Sequence, residues 1–190
     1  FNSFSVSWGH HTQLSPAAKE GVKAFISSLN ARYNVDRSFL EKIFSKVRKQ
    51  QEVLSLIKPT KQKKSRKIPW DDYRKLFVNQ DNVVKGKQFI SANRTSLRKA
   101  HEIYGVPPAV IAAIIGVETR YGNNQGKFPV FDTLATLAFE NSGRQEFFRE
   151  ELKALILLYF EQKLPINQLK GSYAGALGIP QFMPSSWRRF

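Results

Sequence analysis

Ala109-Val110-Ile111-Ala112-Ala113-Ile114-Ile115-Gly116-Val117 carries no charge and no side chain able to hydrogen-bond, and Glu118 follows it directly. Pro107-Pro108 precedes the run, and proline is favoured in the first helical turn, where its missing N–H is no loss. The run is short and partly β-branched, so a buried strand is a rival reading. The two prolines and the three alanines favour a helix. A helix that is apolar on every side belongs in the middle of a domain. At nine residues the run is far below the roughly 20 that a membrane span needs.

That placement singles out Glu118. A carboxyl closing a buried helix is expected to be desolvated. Desolvation favours its protonated form, the form a general acid must offer. A purely structural reading stays open: Glu118 pairs with Arg120 or another base and only holds the fold, since ion-pair networks also perturb carboxyl groups.

Working outward, helical spacing dominates on both sides. Upstream, one long helix is expected from about Asp81 to Tyr104, with Val84, Phe89, Leu97, Ala100 and Ile103 inward and Gly105 as its stop. Before it, a helix runs from Trp70 through Tyr73, Leu76 and Phe77. Nearer the start, Ser15 caps a helix opened by Pro16 and carrying Val22, Phe25, Ile26 and Leu29. Asp36 caps another with Phe39, Leu40, Ile43, Phe44 and Val47. Downstream, Asp132 is expected to cap a helix bearing Leu134, Leu137 and Phe139. A further helix spans Arg144 to Gln162 with Leu152, Leu155, Ile156 and Tyr159 inward. The fold class is therefore mainly α.

After Lys170 the texture changes. Gly171-Ser172-Tyr173-Ala174-Gly175-Ala176-Leu177-Gly178-Ile179-Pro180-Gln181-Phe182-Met183-Pro184-Ser185-Ser186 is rich in small residues and prolines. Small residues let backbone segments approach closely. Ser172 and Gln181 can hydrogen-bond hydroxyl or amide groups, and Tyr173 and Phe182 offer flat faces to sugar rings or to neighbouring side chains. The plain alternative is a glycine-rich turn between helices.

Composition narrows the classes. With 42% hydrophobic and 13% aromatic residues the chain can build a core, which excludes a disordered polymer. Having no cysteine, it has neither disulfides nor a thiolate metal site. His10-His11 and His101 lack metal-ligand spacing. No phosphate-binding glycine loop and no Gly-x-Ser-x-Gly elbow occurs. The start, Phe1-Asn2-Ser3-Phe4, has neither the basic nor the apolar region of a signal peptide, so the chain is expected to be a processed or trimmed fragment.

The net charge of +15 is uneven: residues 1–104 hold 21 Lys/Arg against eight Asp/Glu, and residues 105–190 hold nine against seven. Lys58 to Lys67 alone contains six basic residues and no acid. Such a run is a solvated loop or a contact for an anionic polymer. Nucleic acid, anionic lipid and anionic wall polymer all suit the charge. The nearly neutral C-terminal part carries the distinctive motifs, and no nucleic-acid-binding signature accompanies the charge, so no nucleic-acid partner is expected.

The motifs resemble one family. Trp70-x-x-Tyr73-Arg74, Tyr104-Gly105-Val106-Pro107-Pro108, Ile114-Ile115-Gly116-Val117-Glu118-Thr119-Arg120, Asp132-Thr133-Leu134-Ala135-Thr136-Leu137 and Gly171 to Ser186 are similar, in order and spacing, to the membrane-bound lytic murein transglycosylase B family. The resemblance covers about residue 70 to the end, and residues 1–69 match loosely. It implies a lysozyme-like helical core over 70–190, with an N-terminal helical region, 1–69, packed on it. It implies cleavage of peptidoglycan between N-acetylmuramic acid and N-acetylglucosamine, leaving a 1,6-anhydromuramyl end.

On this resemblance Glu118 is the catalytic acid and base, and Tyr73, Phe147, Ser172, Tyr173, Gln181 and Phe182 bind substrate. Phe147 stands where the family has a tyrosine, Tyr121 where tryptophan is common, and Ile179-Pro180 where Tyr-Gly is usual. The family continues beyond position 190 with a calcium-binding loop, so this chain is expected to be truncated there and to hold no cofactor or metal itself. The expected partners are peptidoglycan strands and, through the basic N-terminal region, an anionic envelope surface. A monomer in the bacterial periplasm or cell envelope, with a membrane anchor in its precursor, completes the expectation. The rival is a non-catalytic peptidoglycan-binding or scaffold fragment of the same fold.

Overall fold

A computed structural model describes residues 12–58 and 68–190. The opening segment with His10-His11, and Pro59 to Lys67 of the basic run, lie outside the described residues. The elements are α1 (Pro16–Tyr33), α2 (Arg37–Phe44), α3 (Gln51–Ile57), α4 (Trp70–Phe77), α5 (Gln80–Ala92), α6 (Arg94–Tyr104), α7 (Pro108–Thr119), β1 (Phe128–Pro129), α8 (Val130–Phe139), α9 (Gln145–Gln162), β2 (Lys170–Gly171) and α10 (Pro184–Arg189). The mainly helical class is as expected.

The core sits on α8 and α9. Val130, Leu134, Leu137, Leu152, Leu155, Ile156 and Phe148 are fully buried between and around them. Burying each such side chain contributes about 1.5–3 kcal/mol. Helices α1 and α3 pack on α8, and α10 packs on α9. Phe44 reaches the rings of Phe131 and Phe139 at 5.2 and 6.2 Å, and Phe25 meets Phe139 at 5.5 Å. The buried faces of α1 and α2, Val22, Ile26, Leu29, Leu40, Ile43 and Phe44, thus share one core with residues 128–177.

The capping expectations hold at the first two helices. The Ser15 hydroxyl accepts from the Ala18 N–H at 3.2 Å, and the Asp36 carboxylate accepts from the Ser38 N–H at 2.9 Å. Asp132 does not cap its helix. Helix α8 starts three residues earlier, with Pro129 at the N-cap and Asp132 in the first turn. The β1–β2 pairing, Phe128 with Gly171, starts the helix early by delivering Val130 next to Leu169, whose carbonyl accepts its N–H at 2.9 Å.

The long helix expected over 81–104 is two helices broken at Asn93. The Asn93 side-chain amide donates to the Phe89 carbonyl at 2.9 Å, the same carbonyl that accepts its backbone N–H at 3.0 Å. A short amide that competes for backbone carbonyls disfavours a continuous helix. Of the five inward residues expected there, Leu97 is buried, Phe89 and Ala100 are half-buried, and Val84 and Ile103 are exposed.

The largest correction concerns α7. The run is a helix, but of its residues only Ala112 and Thr119 are buried. Helices α5 and α6 pack on one side of it. The other side, Val110, Ile114 and Val117, faces outward. Periodicity could not show this, because a helix apolar all round has no preferred face. Among the described residues no single helix is long and apolar enough to cross a membrane, and α6 and α7 meet at 115°.

Glu140, 8% exposed at the end of α8, holds the N-terminal region to this core. It accepts from the Ser15 N–H at 2.8 Å and pairs with the Lys49 ammonium at 3.2 Å. Burial pushes its carboxyl up, but the Ser15 and Lys49 contacts outweigh burial and hold it below the ordinary carboxylate range. A depressed folded value stabilises above the unfolded one and is lost as pH falls through the folded one. Glu140→Ala should therefore cost about 1–3 kcal/mol near neutral pH. The cost should shrink as pH drops below the ordinary value of about 4.3. Urea unfolding of both proteins across that range checks this, and a cost that stays constant with pH would refute it.

Candidate active site

Helix α7 ends in a tight reversal directly after Glu118, which lines a pocket. Arg120, Tyr121 and Gly122 are consecutive left-handed residues, with φ of 50°, 61° and 89°. Each non-glycine residue there costs roughly 1–2 kcal/mol. Hydrogen bonds hold the turn: the Arg120 N–H to the Gly116 carbonyl at 3.1 Å and the Asn124 N–H to the Thr119 carbonyl at 2.9 Å. The fully buried Thr119 hydroxyl accepts from the Gly122 N–H at 3.0 Å and lies 2.9 Å from the Ile179 carbonyl and 3.2 Å from that of Ile115. One hydroxyl thus joins the end of α7, the turn and the segment before Gln181.

Tyr121 locks the turn from the other side. Its hydroxyl donates to the Asn82 carbonyl at 3.0 Å. Its ring lies against Gly116 and Gly86, where an added Cβ would fall 2.7–2.8 Å from the ring or its hydroxyl. The tyrosine that replaces the expected tryptophan is thus clamped between α5 and α7.

The second wall of the pocket comes from the glycine-rich stretch. Gly171 pairs with Phe128 in the β1–β2 ribbon and bridges to Leu177, which bridges to Phe182. Gly126, at φ 96°, crosses that ribbon so closely that a Cβ would lie 2.0 Å from the Gly171 carbonyl oxygen. No side chain fits there. The stretch is therefore a small, built β structure rather than a loose turn.

The pocket, about 460 Å³, is lined by Glu118, Asn123, Asn124, Gln125, Gly126, Lys127, Phe128, Ser172, Tyr173 and Gln181. It brings together Glu118, Ser172, Tyr173 and Gln181 as the sequence suggested. Tyr73, Phe147 and Phe182 do not line it. Tyr73 lies on α4 between the rings of Trp70 and Phe77, at 6.0 and 5.3 Å. Phe147 lies beneath the Arg144 guanidinium at 4.4 Å. Phe182 packs edge-on against Trp187 at 6.3 Å.

Glu118 itself departs from expectation in one respect and not in another. It is exposed rather than desolvated, because the outer face of α7 is uncovered. Among the described residues none bonds or pairs with its carboxylate, so the structural reading of a fold-holding ion pair with Arg120 is not realised.

The polar neighbours are oriented. The Gln181 amide donates to the Gln125 and Gly178 carbonyls at 3.1 and 3.0 Å, the Gln125 amide to Gly122 at 3.1 Å, and the Asn123 amide to Arg120 at 2.8 Å. Turning any of these amides over would set oxygen against oxygen, so their carbonyl oxygens remain to accept from a ligand. The Ser172 hydroxyl accepts from the Ala174 and Ala176 N–H groups at 3.2 and 3.1 Å, which spends its acceptor capacity on the turn and leaves its own proton to donate. The pocket suits a ligand rich in N–H and O–H donors. Sequence reading missed Asn123, Asn124, Gln125 and Lys127. Their signal was a run of amides directly after the turn that follows Glu118.

Comparison with known proteins identifies the family and the fold. The chain matches the Transglycosylase SLT domain family over residues 17–190, and it belongs to that family. It is 40% identical over 181 residues to the membrane-bound lytic murein transglycosylase B of Escherichia coli (strain K12), covering 92% of this chain and 50% of that protein. It superposes on the soluble lytic transglycosylase SltB1 of Pseudomonas aeruginosa with a TM-score of 0.82 at 38% identity, over 90% of this chain and 56% of that one. The Escherichia coli lytic transglycosylase Slt35 in complex with calcium gives a TM-score of 0.83 at 34% identity, over 99% and 59%. The chain spans about half the length of the curated relative it matches. The lysozyme-like helical architecture is shared with these structures. Among the described residues no three His, Asp or Glu side chains gather to hold a metal.

Thr119→Val tests the hub. It would strand the Gly122 N–H and the Ile179 carbonyl in a part-buried place, at a cost of about 1 kcal/mol or more. Urea unfolding should show that loss with helix content retained. No loss would mean that the hydroxyl does not carry the junction.

Proposed function

We propose that this chain acts on peptidoglycan as a lytic transglycosylase, with Glu118 as its single catalytic acid and base. The observation that carries the reading is a carboxylate, paired with none of the described residues, lining a pocket whose fixed amide carbonyls suit an acetamido sugar. Family membership and the named activity of the relatives support it.

In this reading the glycan chain lies across the pocket with the bond between N-acetylmuramic acid and N-acetylglucosamine at Glu118. The protonated carboxyl donates to the glycosidic oxygen as the bond to C1 breaks. The carboxylate so formed then takes the proton of the muramyl C6 hydroxyl while that oxygen bonds to C1. The product is a 1,6-anhydro end, and Glu118 is protonated again. One carboxyl serves both steps, so no second carboxylate is required where the substrate's acetamido oxygen can shield C1. The Gln181 carbonyl and the Ser172 hydroxyl position the acetamido group and sugar, and Tyr173 packs on a ring face. Tyr73, Phe147 and Phe182 act, if they touch the chain, at neighbouring sugars rather than in this pocket.

The place of action is the bacterial periplasm or cell envelope, as the name of the Escherichia coli relative suggests. The basic N-terminal region would hold the protein, as a monomer, near an anionic envelope surface.

One observation favours a rival, that the chain binds peptidoglycan without cutting it: Glu118 is exposed, whereas a general acid works best where water is excluded. Mass spectrometry of products released from purified peptidoglycan separates the two. Anhydromuropeptides should appear with the unmutated chain and fall at least about a hundredfold with Glu118→Gln. Reducing-end products would sink the mechanism. Binding without any product would favour the rival.

A further inference from the structure

Lys127 is the one cationic side chain among the described residues that line the Glu118 pocket. The other lining side chains are a carboxylate, amides, a hydroxyl, a phenol and an apolar ring. Gln181 spends its amide hydrogens on two carbonyls, and Gln125 and Asn123 each spend one. A carboxylate carried into this pocket by a ligand therefore has one strong partner.

The lysine is also placed to exchange partners. Phe128, its neighbour in sequence, is buried and paired with Gly171, which anchors the backbone. The ammonium stands 5.0 Å from the Phe128 ring centroid and 2.9 Å from the Glu52 carboxylate of α3. That ion pair is 71% and 58% exposed. Pairs so exposed hold weakly, and a ligand that covered the pocket would strengthen a new pair there by excluding water.

We propose that Lys127 is a specificity residue, receiving a carboxylate of the peptide stem that peptidoglycan carries on its muramyl sugar. This rests on the peptidoglycan reading of the Glu118 pocket, not on turnover there. The chain would thus distinguish stem-bearing glycan from glycan stripped of its peptides.

Binding tests it without catalysis. In a Glu118→Gln background, soluble glycan oligomers with and without peptide stems are titrated by calorimetry. Stem-bearing oligomers should bind more tightly, and Lys127→Gln should weaken them about tenfold while weakening stripped oligomers less than about threefold. The difference should narrow at high salt. The double change Lys127→Glu with Glu52→Lys restores the tie between α3 and the pocket rim but reverses the charge in the pocket. It should not restore the preference. Equal weakening of both oligomers, or full rescue by the double change, would overturn the proposal and make Lys127 a structural tie. Failure of both oligomers to bind would overturn it together with the peptidoglycan reading. A preserved preference in a chain that never releases anhydro products would refute the transglycosylase reading alone.

Discussion

The position of Glu118 depends on a left-handed turn that the backbone would avoid if left to itself. Arg120 and Tyr121 both carry positive φ, and neither has the freedom of glycine. The turn persists because its neighbours over-determine it: the buried Thr119 hydroxyl, the Tyr121 hydroxyl on Asn82, and the Gly116–Gly86 slot that receives the ring. Strain stored beside a functional group and offset by surrounding contacts is a common arrangement at active sites. Here it reverses the chain at the end of α7, so that residues 123–125 line one pocket with Glu118.

The opposite wall has a different origin. It hangs from the α8–α9 core through the β1–β2 ribbon, and Gly126 and Gly171 allow two backbones to cross where any side chain would collide. Glu151, buried on α9, accepts from both the N–H and the hydroxyl of Ser185 at 2.9 and 2.8 Å, fixing the start of α10. Trp187 on α10 then donates to the Leu177 carbonyl at 3.3 Å and packs on Phe182. Part-buried hydrogen bonds and one ring contact thus link α9 to Phe182, the residue that follows Gln181. The pocket lies where a rigid core meets a strained turn, and the Thr119–Ile179 contact is the seam.

The N-terminal helices contribute from further away. Their apolar faces share the core with α8, and the Glu140 carboxylate ties α1 and Lys49 to the end of that helix. Glu52 reaches the pocket rim through Lys127. Most other ion pairs join neighbours on exposed helix surfaces, and pairs of that kind add little. The large positive charge of the first part of the chain therefore acts through its summed field rather than through individual contacts.

Much of this was legible in the order of residues. Local rules suffice where the physics is local. Ser15-Pro16 and Asp36 marked helix starts, Gly105 marked a stop at φ 69°, and Glu118, Ser172, Tyr173 and Gln181 stood out as polar residues in apolar or glycine-rich surroundings. Residue order also made the chain mainly helical, because apolar periodicity is a one-dimensional signal. It could not say which face of α7 would be covered, since a helix apolar all round has no face to read, and so it overstated the burial of Glu118. The resemblance grouped Tyr73, Phe147 and Phe182 with the others, and these three do not line the Glu118 pocket. Nor could residue order join Lys127 to Glu52, 75 positions apart, or Thr119 to Ile179, 60 apart. Those meetings follow from how packed elements meet in space, and contacts between residues distant in the chain leave no local pattern.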